Sequence, residues 1–297
     1  MRGLQIHPLS ELRDEAARLL RERHERHRAA EPLLPEVDDF AAHVPEHGLV
    51  ATRSGTTVAF LAGDVDGDTA RVGFAGCAAS EPEALRDLFA VLADEWDVAR
   101  FAVAAPAHDA ALIDVWFRLA FGCQFVWAVR ETEPAEPVEF GGTIRPSTPD
   151  DLEDVAQFDE ILWTLQARSP SFSGRKVPGR GAFREEWSTL WDERDVHTHF
   201  VAEREGRVVG HVLLYRRPAG DLRVPSENVD LGHVATLHAV RGSGVGLALT
   251  AFALRWAHEQ GFRSLTTDWR SVNLLSSRFW PRRGFRPQYL RLYRAVP

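Results

Sequence analysis

Apolar residues recur along this chain with two spacings: every second position in short runs, and every third or fourth in longer ones. The first spacing predicts strands, and the second predicts amphipathic helices that bury one face. The alternation is easiest to follow in the second half. A strand at 143–145 leads to a helix over about 149–165, an irregular Ser/Gly/Pro-rich stretch at 169–180 and a helix over 182–193. Strands at 197–203 and 208–216 read as a hairpin turning at Glu205-Gly206, 218–226 as a loop, and 229–240 as a long strand. A helix over 247–260 follows, with Leu247, Phe252 or Ala251, Leu254, Ala257 and His258 on its core face, and Gly261 stops it. A strand at 263–267 and a last one ending at Arg294 complete the set. Strands interspersed with helices predict an α+β fold.

The two halves share a plan. Ile6-His7-Pro8-Leu9-Ser10-Glu11-Leu12 opens the first, and Ile144-Arg145-Pro146-Ser147 with Asp150-Asp151-Leu152 opens the second. Each half also closes alike. Trp116-Phe117 precedes Phe121-Gly122 and a strand ending at Arg130, and Phe279-Trp280 precedes Gly284-Phe285 and the last strand. An internal repeat accounts for this. Between the copies, 131–142 carries Glu131, Glu133, Glu136 and Glu139 with Pro134 and Pro137, and it reads as a linker or exposed crossing. The expected domains are therefore 1–130 and 143–297.

The copies differ where chemistry would reside. In the second, Arg241-Gly242-Ser243-Gly244-Val245-Gly246 stands between a strand and a helix. Glycines at alternate positions let backbone N–H groups approach a bulky anion, the helix start favours negative charge, and Arg241 adds charged donors. This is a pyrophosphate cradle in outline. A Walker A loop would end in Gly-Lys-Ser/Thr, whereas here Gly246-Leu247-Ala248 follows; a dinucleotide fingerprint would place its third glycine farther on and an acid about twenty residues later. In the first copy a strand over 70–78 runs into Ser80-Glu81-Pro82-Glu83, a capping box with neither glycine loop nor arginine.

Arg241, Gly244 and Gly246 fill in register the Arg/Gln-x-x-Gly-x-Gly/Ala pattern, and the second half thereby resembles the GNAT acetyltransferase superfamily. The run from Asn273 through Ser276, Phe279 and Trp280 to Gly284-Phe285 is similar to the family's next signature. The resemblance implies two tandem GNAT-like domains, each a mostly antiparallel mixed sheet flanked by helices, with a degenerate N-terminal copy. It also implies acetyl-CoA as cofactor, bound once per chain by Leu237, His238, Ala239, Arg241, Gly242, Ser243, Gly244, Val245, Gly246, Asn273, Ser276 and Trp280. One position departs from the pattern. The family's second aromatic is usually a tyrosine that can protonate the departing thiolate, and an indole N–H is not a usable acid.

The activity implied is transfer of an acetyl group to a primary amine of a small molecule or peptide, with a non-catalytic acyl-CoA binder as the alternative. A lysine-like amine has a pKa of about 10.4, so a base must take its proton. Asp230, by its distance before the loop arginine, is the first candidate and His233 the second, while Asp230 opening a strand and His233 as a satisfied core residue are the structural alternatives. The oxyanion would meet backbone N–H groups near Leu237 to Ala239. Tyr289 and Tyr293 lie on the last strand as substitutes for the missing acid.

Composition narrows the partners. The chain has 297 residues, 44% of them hydrophobic, with nine tryptophans and a net charge of −8, which argues against nucleic acid. Cys77 and Cys123 have no metal-ligand spacing, no apolar run reaches membrane-spanning length, and the N-terminus does not read as a signal peptide. A cytoplasmic monomer or homodimer, free of membrane and metal, is expected. Arg21, Arg23, His24, Arg26, His27 and Arg28 read as a solvated helix face, and His197 and His199 as a weak metal pair. Trp163, Trp187 and Trp191 divide between core packing and an aromatic wall for the acceptor.

Overall fold

The computed structural model describes residues 3–174, 176–193, 195–218 and 220–296. In chain order its elements are β1 (Leu4–Pro8), α1 (Arg13–Ala30), β2 (Gly48–Arg53), β3 (Thr56–Ala62), β4 (Asp64–Asp66), β5 (Thr69–Val72), β6 (Cys77–Ala79), α2 (Ala84–Trp96), β7 (Arg100–Pro106), α3 (Ala110–Arg118) and β8 (Gly122–Glu131). They continue with β9 (Thr143–Pro146), α4 (Leu152–Ala167), α5 (Arg180–Ser188), β10 (His197–Arg204), β11 (Arg207–Tyr215), β12 (Asn228–Thr236), α6 (Val245–Glu259), β13 (Ser264–Arg270), α7 (Ser276–Phe279) and β14 (Arg286–Ala295). The fold is α+β. Among the described residues no helix is long and apolar enough to cross a membrane.

The chain divides into two compact units: Met1–Ala128 with Gly220–Pro225 and Arg286–Pro297, and Val129–Ala219 with Ser226–Phe285. In the first unit β1, β2, β3 and β6 form an antiparallel sheet. A second, mixed sheet runs β4-β5-β7-β14, with β5 and β7 parallel and the other pairs antiparallel. The expected plan closes each half on its own final strand. Instead β14 joins the first unit, pairing with β7 from Tyr289 opposite Pro106 to Ala295 opposite Arg100. The apolar face of α2 (Leu85, Leu88, Phe89, Leu92) and Trp116 of α3 fill the core with Phe101, Val103 and Phe121.

Three local expectations for this unit are corrected. The strand expected over 70–78 is broken, because Gly76 N–H bonds to Gly73 and places β5 and β6 in different sheets. Ser80 and Glu83 make no capping box, because Ser80 donates both its N–H and its hydroxyl to Val58 O. The basic face of α1 is not solvated throughout. Arg23, His24 and His27 are buried, with Arg23 donating to the carbonyls of Phe74 and Cys77 and His24 Nε2 lying 2.8 Å from Pro35 O.

The second unit is built on the strand order β13-β12-β11-β10-β9. Its pairs are antiparallel except β12 and β13, which run parallel. Helices α4 and α5 pack on one face through Val155, Ala156, Phe183 and Trp187 against Leu213 and Tyr215. The core side of α6 consists of Val245, Ala248, Leu249, Ala251, Ala253, Leu254 and Ala257. Leu247 is half-buried and His258 exposed, so neither belongs to that side, and the helix begins two residues earlier than expected. The segment 131–142 is more than a crossing: Phe140 is buried, and Thr132 donates its N–H to Arg263 O.

Candidate functional site

The strand expected to run to Val240 ends at Thr236, followed by a single 3-10 turn at His238–Val240. Gly242 and Gly244 then take φ of +82° and +89°, a region glycine enters at no steric cost. Gly244 caps α6, and the first bond of the helix runs from Ala248 N to Gly244 O at 2.9 Å. Val245, Gly246 and Leu247 therefore have no carbonyl ahead of them in the helix to accept from their N–H groups. A Cβ on Gly244 would come within 3.5 Å of Glu139 O, so the supposed linker forms one wall of the turn. Arg241 meets no carboxylate among the described residues.

Beside this turn lies a cavity of about 500 Å³. It opens where β12 and β13 part. Their parallel pairing stops at Leu231 opposite Thr267, and Thr267 Oγ1 closes the last rung on Leu231 O at 2.9 Å. The cavity is lined by Ile161, Leu162 and Leu165 of α4 and Val234, Ala235 and Thr236 of β12. Arg241, Gly242, Gly244, Val245, Gly246, Asn273, Ser276 and Trp280 complete it from the turn and α7. Of the other residues expected to hold cofactor, Leu237, His238, Ala239 and Ser243 are outside the lining. Leu237 N is bonded to Val209 O at 2.9 Å, which removes it from any oxyanion site. Ser243 Oγ turns back to Val240 O at 2.7 Å. Asn273 Oδ1 accepts from Leu275 N at 3.1 Å, which spends its oxygen on the start of α7.

Asp230 is buried on β12 and ion-paired with Arg217. Arg217 also reaches Tyr215 Oη at 2.5 Å and stacks over that ring at 4.8 Å. His233 stands on the same face because the β11–β12 register slips between Leu213 and Leu214, making Gly232 the extra residue of a bulge. There His233 Nδ1 lies 3.2 Å from Asp159 Oδ1, and Asp159 Oδ2 accepts from Trp187 Nε1 at 2.6 Å. Burial alone would lower the His233 pKa, but the Asp159 contact outweighs it, with Asp268 and Glu186 adding, and raises it.

Two more histidines adjoin, and sequence reading gave them no such place. His199 on β10 is 2.7 Å from Ser147 Oγ and 2.9 Å from His211 Nδ1, and His211 stacks on Phe158 at 4.7 Å. Burial pushes His199 down to about 3 and His211 well down as well. The supposed metal pair is thereby divided, since His197 sits 3.3 Å from Glu193 instead. Alternation along β10 and β11 was a usable signal for a shared face; the bulge that adds His233 was not. Tyr289 is fully buried in the first unit between His27 and Phe74, which removes it as a substitute acid.

Residues 161–285 match the Acetyltransferase (GNAT) family. No curated protein matches the chain. Two solved structures share the fold over nearly its whole length. A GCN5-related N-acetyltransferase from Sphaerobacter thermophilus is 14% identical with a TM-score of 0.59, covering 99% of this chain and 96% of its own. A tandem GNAT protein from the clavulanic acid biosynthesis pathway is 17% identical with a TM-score of 0.50, covering 99% of both. The glycine turn, the parting strands and the Asn-led helix all fall inside the segment that matches the GNAT family, and over nearly its whole length the chain shares the fold of these two structures.

Proposed function

We propose that this protein is an acetyl-CoA-dependent N-acyltransferase that acts on a primary amine of a small molecule or peptide. One observation carries the reading: a turn of bare N–H groups, with an arginine that has no ion pair among the described residues, opens onto a cavity beside the point where two parallel strands separate. These residues fit the cofactor. Gly242 and Gly244 leave room that a side chain would fill, Arg241 has no counter-ion among the described residues, and the mouth of the cavity is apolar along α4. The N–H groups of Val245, Gly246 and Leu247, with Arg241, would hold the pyrophosphate, and the Asn273 amide the adjoining arm. When bound, acetyl-CoA supplies an activated thioester carbonyl and a sulfur that departs with a pKa near that of a thiol, about 8.5.

The residues of the chain do the rest. His233 takes the proton of the incoming ammonium, and Asp159 holds the imidazole and stabilises its charged form. Asp230, the first candidate by spacing, is occupied by Arg217 and positions the strand instead. Trp280 offers no acid, so the departing thiolate leaves unaided or is protonated by water. That position also favours a second reading, a binder of acyl-CoA without turnover. Release of free thiol from acetyl-CoA against a panel of amines separates the two. Amine-dependent release supports transfer, whereas tight binding with no release for any amine supports the binder.

A further inference from the structure

The buried guanidinium of Arg23 meets no carboxylate among the described residues. It is 1% exposed on α1, donates to the carbonyls of Phe74 and Cys77, has the Tyr289 hydroxyl and the Cys77 thiol as its other polar neighbours, and leaves Nε without a partner. A buried charge without a counter-ion is costly, and such a site is completed by an anion. One turn further along α1, His27 is 3% exposed, and the Gln288 backbone is the polar group beside its ring, too poorly aligned for a full hydrogen bond. Both residues line a cavity of about 320 Å³ in the first unit, together with Arg26, His108 and the first residues of α3. Arg26 at its mouth is exposed and has no ion pair among the described residues.

Sequence register relates this cavity to the one in the second unit. Asp109, Trp116 and Phe121 follow the spacing of Asn273, Trp280 and Phe285; Asp109 Oδ1 caps α3 through Leu112 N at 3.0 Å, and Asn273 Oδ1 accepts from Leu275 N at 3.1 Å just ahead of α7. On the facing helix the lining changes from apolar to basic. Where the second unit offers Ile161, Leu162 and Leu165, the first offers Arg23, Arg26 and His27. Among the described residues Asp109 contributes the cavity's one carboxylate, and one of its oxygens is spent on the helix cap. The two guanidiniums therefore leave an excess of positive charge.

We infer that the first unit binds a small anion, a carboxylate or a phosphate monoester, between α1 and the start of α3. Arg26 would receive it at the mouth, with Arg23 and His27 beneath. A volume of this size admits a small metabolite and not a macromolecular segment. His27 carries the signature of the missing charge. Burial, then Arg23, His108 and His24, push it down to about 3 against a small opposing contribution from the Gln288 backbone, and a bound anion would draw it back up.

The test is calorimetric titration of the full chain with inorganic phosphate and, separately, with succinate, with histidine nitrogen shifts followed by NMR. One saturable site is expected, weakened about tenfold or more by Arg26→Ala and left unchanged by Gly244→Glu. The His27 signal should shift on binding. Selectivity for phosphate or for succinate then identifies the anion class. Arg26 is exposed, so its removal spares the fold, and Arg26→Lys should restore part of the affinity. The inference is overturned if neither anion binds, if Arg26→Ala leaves the affinity unchanged, or if Gly244→Glu abolishes it. The last result would place the anion in the glycine turn.

Discussion

The ring of Tyr215 occupies the space a side chain would need at Gly232: a Cβ there would overlap Cε1 and lie 2.9 Å from Cδ1. The consequence reaches the site. Gly232 is the extra residue of the β12 bulge, and the bulge turns His233 to the face that holds Asp159 and Trp187. Without it, strict alternation from Asp230 would point His233 the other way. The Tyr215 ring in turn lies under Arg217, the partner of Asp230. A glycine with no unusual φ thus fixes the position of two polar residues by close approach alone.

Gly232→Ala should accordingly cost about 1–3 kcal/mol, as overpacking does, and reduce turnover more than it reduces acetyl-CoA affinity. Denaturant unfolding beside steady-state kinetics checks both. A variant as stable and as active as the parent would show that Tyr215 simply rotates away.

His233 governs the expected pH profile. Its pKa is raised above about 6.5 by Asp159, and the base must be neutral to act, so activity should rise with pH through that raised value. Asp159→Asn removes the charge and should move the rising limb to lower pH by about one unit or more. His233→Gln should lower turnover by about 10²-fold or more while leaving acetyl-CoA binding intact. Asp230→Asn should lower the melting temperature, because it strands Arg217, and leave the limb where it is. A limb that moves with Asp230 and not with Asp159 would return the role of base to Asp230.

Stability should respond to pH in the same sense, through histidines shifted the other way. His27 and His199 are each depressed from 6.5 to about 3 by burial, so their neutral forms favour the fold at and above neutral pH. As pH falls below about 6.5 the unfolded chain takes up protons the folded chain refuses, and stability declines until about pH 3. Each histidine should remove about 2 kcal/mol between pH 7 and 5, at 1.36 kcal/mol per unit. Urea unfolding at the two pH values measures this, and His199→Gln should flatten the slope. An unchanged slope would mean that His199 is protonated without cost.

What the sequence revealed follows from how local each feature is. The turn at 241–246 and the helix after it were legible because glycine spacing and helical periodicity act within a few residues. The α+β alternation was legible for the same reason. The destination of β14 was not, since pairing with β7 depends on partners far off in sequence. Arg23 and His27 looked like a solvated basic face, because their burial comes from the Phe74 and Cys77 carbonyls and the Tyr289 ring, which no periodicity on α1 records. His199 and His211 were each visible on alternating strands, yet their contact requires the β10–β11 register.

The glycine turn should set cofactor affinity. Gly244→Glu introduces a side chain and a like charge at φ of +89°, at a cost to the fold of about 1–2 kcal/mol, and should abolish acetyl-CoA binding. Arg241→Ala should be milder, losing about 1.5–3 kcal/mol for a charge-assisted bond. Calorimetric affinity equal to the parent in the glutamate variant would remove the turn from the site.

Cofactor stoichiometry should be one per chain. In the first unit most backbone donors at the matching helix start are already spent. Ser80 N and Glu81 N bond to Val58 O at 2.9 and 3.2 Å, Ala84 N bonds to Glu81 O at 3.1 Å, and Leu85 N bonds to Pro82 O at 3.0 Å. Pro82 supplies no N–H, and Glu81 and Glu83 set negative charge there, held by Arg53 and by Arg86 with Arg118. A pyrophosphate at that place would meet carboxylates in place of N–H groups and displace three ion pairs. Titration of the full chain with acetyl-CoA should therefore saturate at one equivalent, and Gly244→Glu should leave no residual site. Two equivalents, or a second site that survives Gly244→Glu, would mean that α2 opens its first turn to receive the cofactor.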